Sequence, residues 1–153
     1  MKNILFFALA LVFTGFGCSS TKKAQMPINQ GLTGLITEVK GNQMPMKDGP
    51  KTSGKGVLTN VLIYEPTTLD QVTRVNTSAY YTAIHTKLVA SVTTDSTGAY
   101  TVALPEGDYS VFIQRGKQFY ANLFDTANRI AFFTVEKGKL TSANLVISGA
   151  ASF

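Results

Sequence analysis

His85 is the only histidine in the chain, so a Ser-His-Asp triad has no other base to use and a site built from several imidazoles is excluded. It stands in an expected strand among polar residues, where a surface or half-buried position explains it better than catalysis does. Asp95, Asp108 and Asp125 fall in turn-like stretches and could offer carboxylate oxygens to calcium. Their spacing matches no established calcium loop, and Asp commonly forms turns by bonding the backbone two residues on. Tyr64, Tyr80, Tyr81, Phe119 and Tyr120 could form a stacking platform for sugars, with Tyr64, Phe119 and Tyr120 the candidate ligand contacts. Such rings offer flat apolar faces with polar rims, but burial in a core or as cross-strand pairs is the preferred reading. No catalytic set, metal site or cofactor site is expected, so the chain reads as non-enzymatic. Cys18 is the sole cysteine, which leaves no disulfide framework within the chain.

That cysteine follows Met1-Lys2-Asn3, a short positive stretch, and an uncharged apolar run of 13 residues over 4–16. A spanning helix needs about 20 such residues, so the run fits the core of an export signal rather than a membrane span. Gly15-Phe16-Gly17-Cys18, followed by polar Ser-Ser-Thr-Lys-Lys, resembles the lipobox of bacterial lipoproteins. It departs from the usual pattern at Gly15, where Leu is common, and at Phe16, where a small residue is common. The resemblance implies that residues 1–17 are a signal peptide cut before Cys18, that the Cys18 thiol takes a diacylglycerol, and that the new amine is acylated, for example by palmitate. Two or more acyl chains make anchoring stable, at about 0.8 kcal/mol per buried CH₂. A plain secretory signal with an incidental cysteine is the competing reading. Ser19 stands where an Asp would resemble an inner-membrane retention signal, so the expected address is the cell envelope at the outer membrane. Which side of that membrane the domain faces is open.

Residues 18–30 are polar and aperiodic and read as the lipidated N-terminus and a flexible tether, with the folded domain over 31–153. Loss of Lys2 leaves 13 Lys and Arg against 9 Asp and Glu, a formal +4. The cations are scattered, so no nucleic-acid footprint is expected. An apolar fraction of 44 % with only 15 % charged residues, rich in Val, Thr, Tyr and Phe, favours strands over helices. Alternation predicts strands over 32–39, 57–65, 81–94, 99–104, 108–115, 119–124, 130–136 and 140–147. Residues 67–80 read as a loop with a short helix, and 46–56 as an exposed loop. Asp95-Ser96-Thr97-Gly98 is a tight hairpin signal, and Pro105-Glu106-Gly107-Asp108 and Lys137-Gly138-Lys139 are similar turns. No internal repeat is found. The expected fold is all-β: a single antiparallel β-sandwich of about seven strands.

The segment SVTTDSTGAYTVALPEGDYSVFI over 91–113 resembles carboxypeptidase regulatory-like domains, close to the prealbumin-like and Cna protein B-type sandwiches. GLITEVKGNQMP over 34–45 resembles the opening strand and turn of that family, and the likeness covers about 31–147. Phe119-Tyr120-Ala121-Asn122 and Phe124-Asp125 resemble a subgroup of small bacterial lipoproteins of unassigned role. The resemblance implies a compact accessory, binding or spacer module rather than a catalyst. Tyr109 is expected to bury its ring and bond its hydroxyl near a sheet corner. The urate-pathway hydrolases of prealbumin type need several active-site histidines and a characteristic tail, both missing here. Some related sandwiches form Lys-Asn isopeptide bonds, for which Asn144 and Lys40 are the only tempting pair. The expected function is a lipid-anchored, non-catalytic envelope protein that contacts the membrane through Cys18 and an envelope protein through its domain. A carbohydrate-binding module on the same sandwich is the alternative.

Overall fold

The computed structural model describes residues 28–40 and 54–148. Cys18, the signal-like segment and nearly all of the tether lie outside these residues. Twelve strands are present among them: β1 (Gly31–Val39), β2 (Lys55–Gly56), β3 (Asn60–Tyr64), β4 (Val72–Arg74), β5 (Tyr80–Ile84), β6 (Leu88–Thr93), β7 (Ala99–Ala103), β8 (Gly107–Arg115), β9 (Gln118–Tyr120), β10 (Phe132–Val135), β11 (Leu140–Ser142) and β12 (Leu145–Ser148). The short helix expected within 67–80 is a single 3₁₀ turn, Leu69–Gln71, where the Thr68 N–H donates to Gln71 Oε1 (3.1 Å). No helix among the described residues is long and apolar enough to cross a membrane.

The fold is an all-β sandwich of two mostly antiparallel sheets. In sheet one, β1 is central. β7 and β2 pair antiparallel with its first and second halves. β11 and β12 pair with it in parallel, and the shared offset of Gly31↔Leu140 and Ile36↔Leu145 sets them in line along its other edge. The sandwich is therefore not wholly antiparallel. Sheet two runs β4-β5-β9-β8-β3-β6, with β10 on β8. Between the sheets the inward stripes of β1 and β12 (Leu32, Ile36, Leu145, Ile147) meet those of β3 and β8 (Val61, Ile63, Val111, Ile113), all buried.

Expected strands break where long-range pairing requires it. The stretch 81–94 is two strands, β5 and β6, on either side of sheet two. Four strand spacings of ~4.8 Å separate them in a flat sheet, about 19 Å. The link from Ile84 to Leu88 reaches only about 14 Å when fully extended. Sheet two must therefore curl, and it encloses a second small core on its outer face. There Phe112 meets the edges of Tyr64 and Tyr81, with ring centroids 5.6 and 5.7 Å apart. Two connections close this core: the Thr67 N–H donates to Ser110 Oγ (2.9 Å), and the Ile130 N–H donates to the Thr67 carbonyl (2.8 Å).

The turns form as their residues dictate, with one difference of consequence. Asp95 Oδ1 accepts from the Thr97 and Ala99 N–H groups (2.8 and 3.0 Å), while Gly98 takes φ 85°. A Cβ at Gly98 would lie 2.2 Å from the Ile36 carbonyl oxygen, so glycine is required twice over. The expected hairpin is instead a corner, because β6 belongs to sheet two and β7 to sheet one. At the return corner the buried Tyr109 donates its hydroxyl to the Pro105 carbonyl (3.1 Å), the structural duty expected of it.

Candidate functional site

The chain enters the sandwich at Gln30, whose side-chain oxygen accepts from the Gly138 N–H (2.8 Å) and whose amide donates to the Leu104 carbonyl (2.9 Å). β1 then runs nine residues, about 30 Å, to the opposite end. At that far end lies a cleft of about 450 Å³ lined by Glu38, Val39, Lys40, Lys55, Val57 and Leu58 among others.

Alternation explains its charged floor. Glu38 ends the inward stripe of β1 after Leu32 and Ile36, and Arg115 ends the stripe of β8 after Val111 and Ile113. The two last members meet where the core opens: Arg115 Nη2 lies 2.6 Å from Glu38 Oε1. Only 12 % of the Glu38 side chain is exposed, whereas Lys40, 3.3 Å away from its other oxygen, is 79 % exposed. Lys55 stands opposite Glu38 in the β1–β2 register.

Beside the cleft, a polar hollow of about 410 Å³ is lined by Leu58, Thr59, Asn60, Thr93, Gln114 and Gly116. A hydrogen-bonded row crosses three strands there, from the Thr93 hydroxyl to Asn60 Oδ1 (2.8 Å) and from the Asn60 amide to Gln114 Oε1 (3.0 Å). Leu58, 66 % exposed, stands between the two concavities. The surface offers cations, amides, hydroxyls and one apolar knob. Among its described lining residues no His or Cys stands beside a hydroxyl.

The residues singled out by sequence fall elsewhere. Tyr64 and Tyr120 are 8 % and 1 % exposed, which agrees with the preferred reading of burial and removes them from the alternative of an exposed stacking platform. Tyr64 belongs to the outer core, while Tyr120 points between the sheets, where its hydroxyl accepts from the Ser148 N–H (3.0 Å). Phe119 is half-buried. His85 is exposed, with its ring Nε2 3.2 Å from Thr73 Oγ1, and no acidic side chain among the described residues is bonded to it. Asp125 builds a turn of the same design as Asp95: its Oδ1 accepts from the Ala127 and Arg129 N–H groups, both at 2.9 Å. The Arg129 N–H chiefly holds the Asp125 carboxyl below the usual value, and the Thr97 hydroxyl chiefly does so for Asp95. Asp108 accepts from the Thr134 hydroxyl (2.7 Å). Among the described residues, no three His, Cys, Asp or Glu side chains gather in a group that could hold a metal ion.

Asn144 Oδ1 accepts from the Leu35 N–H (2.8 Å), filling the gap between β11 and β12 in the β1 ladder. Sequence reasoning passed over Glu38, Lys55, Leu58 and Arg115. The signal for two of them was present, since a charge at the end of an apolar alternation marks where a stripe leaves the core. Comparison with protein-family models, with curated proteins and with solved structures finds no match to this chain.

Proposed function

We propose that the chain is a lipid-anchored, non-catalytic envelope protein, an accessory module that contacts another envelope protein through the end remote from its tether. One observation carries this reading: the chain enters at Gln30, and the cleft and the hollow open about 30 Å away at the other end of β1. A module held at one end and equipped at the other suits presentation to a partner. The lipobox-like residues around Cys18 and the likeness of 91–113 to regulatory-like sandwiches support the same reading, with the outer membrane as the address. Palmitate fed to expressing cells should label the protein, and Cys18→Ser should abolish the label and release the chain from membranes. Mild cross-linking in intact envelopes should then capture the same partner repeatedly. An unlabelled, water-soluble mature chain would overturn the anchor, and repeated failure of capture would overturn the partner.

The polar hollow favours a second reading, a carbohydrate-binding module, because its row of Thr93, Asn60 and Gln114 offers amide and hydroxyl groups to sugar hydroxyls. The buried Tyr64 and Tyr120 contribute no stacking face to it. Glycan-array binding that is lost in Gln114→Ala supports this reading, and a flat array removes it.

A further inference from the structure

We propose that the far-end cleft docks an acidic segment of a partner protein, whose carboxylates pair with Lys40 and Lys55 while one of its apolar side chains packs on Leu58. This deepens the preceding reading and rests on it for the partner being a protein.

Charge is the first ground. Among the described residues Glu38 is the only carboxylate lining the cleft, and it is already engaged by Arg115 at 2.6 Å. Arg115, which is not part of the lining, offsets the Glu38 charge from below, which leaves the Lys40 and Lys55 ammonium groups in excess among the described lining residues. Lys40 and Lys55 flank Glu38, one two residues along and the other across the β1–β2 ladder, so both ammonium groups border the same opening. Complementary charge at such a rim speeds encounter and excludes basic partners.

The second ground is independent of charge. Leu58 is the most exposed large apolar side chain among the described residues, yet its backbone is clamped on both sides. The buried Thr94 hydroxyl donates to the Val57 carbonyl (2.7 Å) and accepts from the Thr59 N–H (2.8 Å). The Val57 N–H donates to the Ile36 carbonyl (3.1 Å), and the Thr59 hydroxyl to the Gln114 carbonyl (2.9 Å). A leucine held outward by fixed neighbours loses little further freedom on binding, which is what a preorganised contact requires. A knob beside a doubly positive cleft fits a chain that alternates acidic and apolar residues. A phosphate alone would use the charge and leave Leu58 in water.

The test uses the full mature chain in detergent and a fluorescent synthetic peptide alternating Glu and Leu. Its counterpart with Gln for Glu, inorganic phosphate and vesicles containing anionic lipid serve as competitors. Fluorescence anisotropy should report binding of the Glu peptide that weakens with salt, and the Gln peptide should bind about tenfold more weakly or worse. Lys55→Glu, Lys40→Glu and Leu58→Ser should each weaken binding several-fold, while Lys137→Glu at the tethered end should leave it unchanged. Equal binding of the Gln peptide, equal loss in Lys137→Glu, or full competition by phosphate or vesicles overturns the proposal. Cross-linking separates it from the reading beneath it. A partner captured equally by wild type and Lys55→Glu removes the cleft and leaves the module. Peptide binding at the cleft with no partner captured in envelopes removes the module and leaves the cleft.

Discussion

Phe112→Ala tests whether sheet two is buried on both faces. In a plain two-layer sandwich the outward residues of β8 face water, and truncating one there costs well under 1 kcal/mol, as for most surface substitutions. Here Phe112 is wholly buried and touches Tyr64 and Tyr81 edge-on, with centroids 5.6 and 5.7 Å away. Removing a buried Phe side chain costs about 3–5 kcal/mol in lost transfer and residual cavity. Each lost aromatic pair contributes ~0.5–1.5 kcal/mol of edge-to-face attraction beyond its area. The site closes through backbone hydrogen bonds at Thr67 and Ile130, which limits its collapse, so the upper half of the range, about 4–5 kcal/mol, is expected. Urea unfolding followed by tyrosine fluorescence should show a lowered midpoint at unchanged slope. Phe112→Leu, which keeps most of the volume, should cost about 1–2 kcal/mol and serves where the alanine variant fails to fold. A loss below about 1 kcal/mol for Phe112→Ala would mean that water reaches this face and that the curl of sheet two is wrong.

Asn144→Ala removes the acceptor of the Leu35 N–H and should cost about 1 kcal/mol, while the intact mass of the native chain should show no loss of ammonia. A deficit of one ammonia would revive a Lys-Asn isopeptide bond and contradict the ladder role. Asp95 and Asp125 have carboxyl groups held below the ordinary 3.8, so they contribute stability that is complete above that value and lost as pH falls through their lowered values. Asn at both positions should flatten the acid limb of the stability profile, and an unchanged limb would show that the two turns do not set it. Burial raises Tyr64, Tyr81, Tyr100 and Tyr109 above the ordinary 10.0, so their stabilising effect is present below pH 10.0 and fades as pH rises above it. Their phenolates should form in ultraviolet titration only above pH 10.0 while the chain stays folded, and formation of all four near pH 10.0 in a folded protein would refute their burial.

What could be read from the sequence was local. Asp95 and Gly98 specify their turn within five residues, and Tyr109 sits four residues from the carbonyl it bonds, so both were legible. Asp125 was legible as a turn residue, but its likeness to Asp95 was not, because Asn128 takes the positive φ (57°) that Gly98 takes in the other. The break in 81–94 was not legible. His85-Thr86-Lys87 continues a strand-like composition, and only the distant pairing of β5 with β9 and of β6 with β3 parts the chain there. The same limit hid what buries Tyr64: alternation assigns it to the face opposite Ile63 but says nothing of what covers that face. The cleft was half legible, since Glu38 and Arg115 end apolar alternations, while the approach of β2 that brings Lys55 beside them depends on long-range contacts.

The parallel pairing of β1 with β12 has a mechanical consequence for a tethered protein. In the lipid-anchored protein proposed above, a pull on Cys18 would reach the domain through Gln30, and so along β1 from its first residue. β1 is the central strand of sheet one, paired with β7 and β2 on one side and with β11 and β12 on the other. A load taken at the far end by a strand paired with β1, such as β2 through Lys55, runs parallel to β1, and the hydrogen bonds between that strand and β1 must shear together. An edge strand pulled outward from one end would unzip one bond at a time. A chain the length of 19–30 spans about 40 Å at most when fully extended, and β1 adds about 30 Å, so the upper bound on the distance from the proposed lipid at Cys18 to the cleft is ~70 Å. That reach, together with a strand loaded in shear, suits a module whose contact is made away from the membrane surface.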